Sequence, residues 1–480
     1  ALWQWFGSKW FPLWWQRLPN LLNPDERAPV QATSPSSTVD QHWLRLGYLL
    51  ILILLFARWG YLASGKIELS EDEAYQWLWS KHLALSYYSK PPLIAYTQWL
   101  GTALWGDTAF GIRFFSPLIA ATLSFLLLRF LAHEVNMRVG FWLVLILTAT
   151  PLPSVGSILM TIDPLSVLFW TAAMISGWRA VQQDSTKHWL WTGLWMGLGF
   201  LSKYTALFQL LYWAVFILLW PPAARQLRRP GPWLALLILA VCTLPVLVWN
   251  QQNNWITVTH LQSRAGLEQA WQFKSNFFLD FTLAETGLLN PIFFIASLWA
   301  AVAFWRRGRR NAFHLFIFSM GTPLFLSYLL FTARARVQPN WIAPAIVPMF
   351  CLMVIYWEAR WRDGARAVKC WLTGGLLLGL FSVIVLHDTH LLGKLSGHYL
   401  PPDKDPLTRV RGWSEAAKVV EAERQKLVTE GKPVFIIGAH YGIAGLLSFY
   451  IPEAKTGVPD QPLVYYQSTD KPENQFYFWR

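Results

Sequence analysis

The feature that most restricts what this chain can fold into is a succession of about eleven apolar blocks, most of them close to bilayer-spanning length, separated by short polar stretches. The blocks run over 44–63, 110–131, 139–158, 164–181, 188–202, 205–220, 232–249, 287–305, 312–332, 341–358 and 370–386. Segments of this length and polarity bury their apolar surface in lipid, where a helix satisfies its own backbone hydrogen bonds. The expected fold class is therefore an α-helical polytopic membrane protein. Composition agrees, with 54% hydrophobic residues, 14% charged residues and 31 Trp in 480 residues. The formal charge of +13 would suit nucleic acid, but the basic residues cluster in short loops between blocks, where membrane orientation accounts for them. Nucleic-acid binding is set aside. Cys242, Cys351 and Cys370 lie in apolar segments without metal-like spacing, and no disulfide framework follows.

The densest basic loops hold Arg225, Arg228 and Arg229, then Arg306, Arg307, Arg309 and Arg310, then Arg360, Arg362, Arg366 and Lys369. They agree on one orientation, with these loops in the cytoplasm. Asp72, Glu73, Asp163, Lys203, the stretch 250–286 and Arg334 to Trp341 then share the opposite side, where a site is expected. Three regions follow: 1–43, a cytoplasmic interfacial segment (Ala1–Trp15) with a Pro- and Ser-rich linker (Asn23–Gln41); 44–386, the transmembrane domain; and 387–480, a small extracytoplasmic α/β domain. In the last, helices are expected over 414–430 and 443–450, and strands over 434–438 and 463–466. A leader or tag before Ala1 and further residues after Arg480 are expected.

The stretch from Ile67 to Leu93 puts carboxylates at the membrane surface. Ser70 with Glu71, Asp72 and Glu73 has capping-box spacing, and Tyr75, Leu78, Trp79 and His82 fall on one face of the helix that follows. A short amphipathic helix lying in the interface is expected, with its aromatic residues at headgroup level. Its acids either complement the helix dipole or perform chemistry, and the stretch alone leaves both open. Pro91 and Pro92 hold Lys90 at a loop exit, either as a clamp for an anionic group or as a contact to lipid phosphate. Asp163 precedes Pro164 at a helix start and Lys203 sits between two blocks, each with the same structural alternative. Lys90, Lys203, Arg264, Arg334 and Arg336 could together hold a phosphate. A divalent metal is the one cofactor left open, with His260, or His387, Asp388 and His390, as ligands.

Asp72-Glu73-Ala74-Tyr75, Tyr87-Tyr88-Ser89-Lys90-Pro91-Pro92-Leu93, Leu201-Ser202-Lys203-Tyr204, Pro245 to Asn250 and Gln338-Pro339-Asn340-Trp341 resemble, in order over roughly 45–360, bacterial ArnT-like and protein-mannosyltransferase-like glycosyltransferases of the GT-C fold. The tail from Gly412 is similar to those of bacterial members. The resemblance implies a multi-pass protein of the bacterial inner membrane whose site faces the periplasm. Its donor would be a polyprenyl-phosphate-linked sugar, transferred with inversion to a lipid A or lipopolysaccharide-type, glycan or protein hydroxyl. It implies Asp72 as general base, with Glu73 beside it, Asp163 as a second acid and Lys90 at the donor phosphate. Lys203, Asn340 and Trp341 match family motifs, and Tyr75, Tyr87 and Tyr88 join them as substrate-binding candidates. Ser89 and Gln338 depart from the family, which has Glu at both positions; the first removes a metal ligand, though His260 matches a loop histidine used there. The competing class, a lipid or lipid-linked-glycan flippase, predicts broken helices meeting at the midplane, whereas these charges sit at loop edges.

Overall fold

Each of the eleven apolar blocks contains a helix, but not each is a continuous span. The computed structural model describes residues 38–266, 273, 275–467 and 469–479. Among these, six helices are long and apolar enough to cross a bilayer, and up to eight spans result if each of two sharply bent helix pairs counts as one. The six are Gln41–Ala63, Ala109–Glu134, Pro230–Gln252, Ala312–Phe331, Pro339–Arg362 and Arg366–His387. Block 139–158 departs from its expected span, breaking between Met137–Thr148 and Pro151–Gly156 where two prolines, Pro151 and Pro153, remove backbone donors. The expected segment Ala1–Trp15 and most of the linker Asn23–Gln41 lie outside the described residues. The last linker residues already belong to the first helix, Thr38–Ala63.

Leu49, Leu52, Ile53 and Phe56 on that helix, and Leu377, Phe381 and Ile384 on Arg366–His387, are exposed, as lipid-facing residues should be. Inside, helices approach closely where side chains are small. A Cβ on Gly193 would come within 2.4 Å of the Ala235 backbone, so helices Thr186–Ser202 and Pro230–Gln252 pack with no room for even a methyl group. The basic residues Arg360 and Arg362 stand at one end of helix Ala343–Arg362 and Asn340 just beyond the other. Twenty residues of α-helix separate them by about 30 Å.

The stretch after Ile67 forms a helix, Glu71–Lys81, with the capping box its sequence predicts. Its surroundings correct the expectation of a helix lying in the interface. Trp77 and Trp79 are fully buried, as is every residue from Glu73 to Ser80, because helix Leu93–Trp105 and the tail helix Tyr441–Tyr450 both pack against it. Gly445 permits the second contact: a Cβ there would lie 2.9 Å from the Tyr75 amide nitrogen.

The tail contains helices Trp413–Val428 and Tyr441–Tyr450 and a two-stranded parallel sheet, Ile436–Gly438 beside Val464–Tyr466. It is fastened to the loop before the buried helix. The Leu69 amide donates to the Tyr450 hydroxyl at 2.8 Å, and the carboxylate of Glu68 accepts from the amides of Trp413 and Ser414, capping the first tail helix from 345 residues away in sequence. Trp43–Arg480 consequently forms one compact unit.

Candidate active site

Asp72 and Glu73 occupy the same helical turn and meet opposite fates. Glu73 is fully buried and takes a bidentate grip from Arg113, with Nε to Oε1 at 2.7 Å and Nη2 to Oε2 at 2.6 Å. The Ser70 amide and hydroxyl and the Met160 amide donate to the same carboxylate at 3.0, 2.9 and 2.9 Å. Burial alone would raise its pKa, but the Arg113 charge and these hydrogen bonds prevail and hold it below the ordinary range. Both Glu73 oxygens are engaged inside the protein, where they tie the helix start to Arg113 and Met160. Asp72 is half exposed, its side chain 52% accessible, and its one ion-pair partner among the described residues is Lys90 at 3.5 Å.

Asp163 stands at the N-terminus of helix Ile162–Gln183, where Thr161 caps the helix. Lys203 Nζ donates to its Oδ1 and Asn340 Nδ2 to its Oδ2, each at 2.7 Å. Three loops that the sequence could only assign to one side thus meet at a single carboxylate. Asp163 and Asn340 also line a cavity of about 280 Å³ whose walls are mostly apolar, among them Ile119, Leu123, Leu152 and Val347. Arg58 lines the same cavity, without an ion-pair partner among the described residues. The sequence reading passed over it as part of the first span; an arginine inside an apolar block was the available signal.

The remaining candidates divide. Arg264 stacks 5.9 Å from the centre of the Trp341 ring, next to Asn340, and Arg336 is exposed. Arg334 donates from Nη2 to the Gly266 carbonyl at 2.8 Å, joining its loop to the end of helix Ile256–Arg264. Tyr75 and Tyr87 are buried in packing: the Tyr75 ring lies between Trp79, Tyr441 and Phe476, and Tyr87 stacks on Trp79 at 4.5 Å while its hydroxyl accepts from the Ala84 amide. Both rings are held in packing inside the protein. Tyr88 packs against His260, with ring centres 4.6 Å apart.

His260 carries no metal constellation among the described residues. Among the described residues no three His, Cys, Asp or Glu converge, Ser89 offers no carboxylate, and burial together with nearby Arg264 holds the His260 pKa below its ordinary value. The described residues around His260 do not fit a divalent metal. At His387, Asp388 and His390 the chemistry is again structural: Asp388 pairs with Arg411 at 3.5 Å and the His387 ring nitrogen meets the Val383 carbonyl at 2.7 Å.

The tail supplies residues that no motif foretold. Tyr441 lies 4.6 Å from Tyr75, and its phenol pKa is raised by burial and then by the charge of Asp72, with Arg264 opposing. His440 meets Glu71 at 3.5 Å. Arg264, through its stacking on Trp341, stands beside Asn340 and so beside Asp163.

Residues 89–249 match the family described as dolichyl-phosphate-mannose-protein mannosyltransferase. The lipid A galacturonosyltransferase RgtD of Rhizobium johnstonii is 31% identical over 320 residues, covering 66% of this chain and 67% of that protein. The chain belongs to the GT-C fold glycosyltransferases. An undecaprenyl phosphate-alpha-4-amino-4-deoxy-L-arabinose arabinosyl transferase of Edwardsiella ictaluri is 29% identical, and this glycosyltransferase spans 56% of its length. ArnT from Cupriavidus metallidurans, in a crystal structure bound to undecaprenyl phosphate, shares the fold: the TM-score is 0.60 at 15% identity, covering 92% of this chain and 88% of that one. The motif order read from the sequence thus points to the family that the comparisons show.

Proposed function

We propose that this glycosyltransferase moves one sugar from a polyprenyl-phosphate carrier to a hydroxyl of a lipid A-type acceptor, with Asp72 as general base. The half-exposed Asp72 carboxylate, 3.5 Å from Lys90, carries the reading. A base must be open to an incoming hydroxyl, and of Asp72, Glu73 and Asp163 only Asp72 has an oxygen not held by a close donor among the described residues. The acceptor O–H gives its proton to Asp72 as its oxygen bonds to the anomeric carbon. The bond from that carbon to the phosphate oxygen breaks on the opposite face, and its electron pair leaves with the phosphate. Lys90, Arg264 and Arg336 supply positive charge to the leaving group, which strengthens their hold as its charge grows. Asp163 fixes Lys203 and the Asn340 loop instead of exchanging protons. The choice of acceptor rests on similarity to a lipid A galacturonosyltransferase, and that of the carrier on relatives whose names specify undecaprenyl phosphate.

The same reading puts the site on the periplasmic face of the bacterial inner membrane and treats 387–480 as a periplasmic domain, since the dense arginine loops lie at opposite helix ends and belong in the cytoplasm. Purified Asp72→Asn protein, given lipid A and polyprenyl-phosphate-linked galacturonic acid or 4-amino-4-deoxy-L-arabinose, tests the central claim. Turnover should fall about 100- to 10,000-fold with donor binding retained, while Lys90→Ala should weaken donor binding as well. Near wild-type turnover in Asp72→Asn removes Asp72 as the base.

A further inference from the structure

Near the end of the chain, a single buried glutamine bridges the two elements that carry Asp72 and Lys90. Gln475 opens the short helical turn Gln475–Phe478, which Asn474 caps through its side chain. Its own backbone N–H donates to the Tyr75 hydroxyl at 2.6 Å, and its side-chain Oε1 accepts the Tyr88 amide at 2.7 Å. Tyr75 stands three residues beyond Asp72, on the same helical face. Tyr88 stands two residues before Lys90. The bridge is shielded from water, with Gln475 2% exposed, Tyr75 5% and Tyr88 8%. Aromatic rings wedge it in place: Phe476 stacks on Tyr75 at 5.7 Å, Phe478 lies 5.5 Å from Trp249 and 6.4 Å from Tyr88, and Trp479 stacks on His82 at 4.5 Å.

Something other than their own attraction must keep Asp72 and Lys90 in register. A half-exposed pair at 3.5 Å contributes at most about 1 kcal/mol. Tyr87 ties the Lys90 loop to the far end of the helix, at Trp79 and His82. Gln475 ties it at the turn next to Asp72. We infer that Gln475 is a positioning residue for glycosyl transfer, setting the gap between the Asp72 base and the Lys90 phosphate contact through Tyr75 and Tyr88. This rests on the roles assigned above to Asp72 and Lys90. A displacement of about 1 Å at a reacting centre costs on the order of 100-fold in rate, so a bridge of two hydrogen bonds has leverage on turnover without touching substrate. The tail thereby becomes part of the transferase site and not an appendage to it.

The test compares Gln475→Leu, which fills the space without an acceptor for the Tyr88 amide, with Gln475→Glu, which restores one. Full-length proteins in nanodiscs are given lipid A and the two polyprenyl-phosphate sugars named above. Gln475→Leu should lower kcat about 10- to 100-fold with less than about a threefold change in donor KM, and Gln475→Glu should recover most of the loss. Tyr75→Phe removes the other half of the bridge and should lower kcat about 10-fold; combined with Gln475→Leu it should add less than the product of the two. If Gln475→Leu does not fold, Tyr75→Phe carries the test by its expected loss of kcat. Unchanged kcat in folded Gln475→Leu or Tyr75→Phe, or a loss in Gln475→Leu that Gln475→Glu does not repair, overturns the inference. Asp72→Asn measured alongside separates the two claims: an active Asp72→Asn overturns the base assignment, whereas an inactive Asp72→Asn beside fully active Gln475→Leu and Tyr75→Phe overturns Gln475 alone.

Discussion

Two lysine–carboxylate pairs stand among the candidate residues and are built differently. Asp72 and Lys90 are 3.5 Å apart with side chains 52% and 22% exposed, while Asp163 and Lys203 are 2.7 Å apart with 19% and 10%. The inner pair is completed by Asn340, and it holds together the start of one long helix, the end of another and the loop before a third. The outer pair is completed by nothing else in the described residues. Water and a substrate can enter between Asp72 and Lys90 at little cost, whereas separating Asp163 from Lys203 strands two charges in a poorly hydrated place. Openness, more than the identity of the side chains, is what distinguishes a group that can do chemistry from one that holds the frame.

That contrast breaks first if Asp72 and its neighbour behave alike. Asp72→Asn should cost about 100- to 10,000-fold in turnover and leave the thermal midpoint near wild type, because Asn keeps the shape at the helix start but cannot accept the proton. Glu73→Gln should do the reverse in origin, destabilising by about 3–5 kcal/mol because Arg113 is left buried without its counter-charge; thermal unfolding in detergent would measure both. Acid sharpens the same point. The Glu73 pKa is lowered from 4.5 in the folded protein, so its contribution is fully present above that value and is lost as pH falls through the lower, folded one. Wild-type stability should therefore decline on acidification below about pH 4.5 with a component missing in Glu73→Gln, as a pH series of unfolding midpoints would record.

Asp163→Asn should fall between the extremes, costing about 1.5–3 kcal/mol through the lost charge-assisted bond to Lys203, with turnover reduced in step with stability. A loss of turnover as large as that of Asp72→Asn at unchanged stability would instead make Asp163 a second chemical group. The smallest effect belongs to Lys81, whose ion pair with Asp107 is partly exposed, at 21% and 34%. Lys81→Ala should change stability by at most about 1 kcal/mol and leave turnover unaltered.

Much of this was legible in order along the chain. Apolar blocks of bilayer length dictate helices in lipid, Ser70 with Glu73 dictates a helix start, and Asp72, Lys90, Lys203 and Asn340 stand in motifs whose sequence order marks the family. These are local or periodic properties, carried by neighbours three or four residues apart or by spacing along one chain. What the sequence could not decide was which of two adjacent acids is free. Asp72 and Glu73 have equal local claims; the difference is Arg113, 40 residues away, which reaches Glu73 and not Asp72. Nor could periodicity reveal that Tyr75 faces a glutamine 400 residues later, or that the helix at the membrane surface is buried under the tail. Burial and pairing are properties of the packed whole: they depend on which distant segments exclude water from a side chain, and only the tertiary structure brings those segments together.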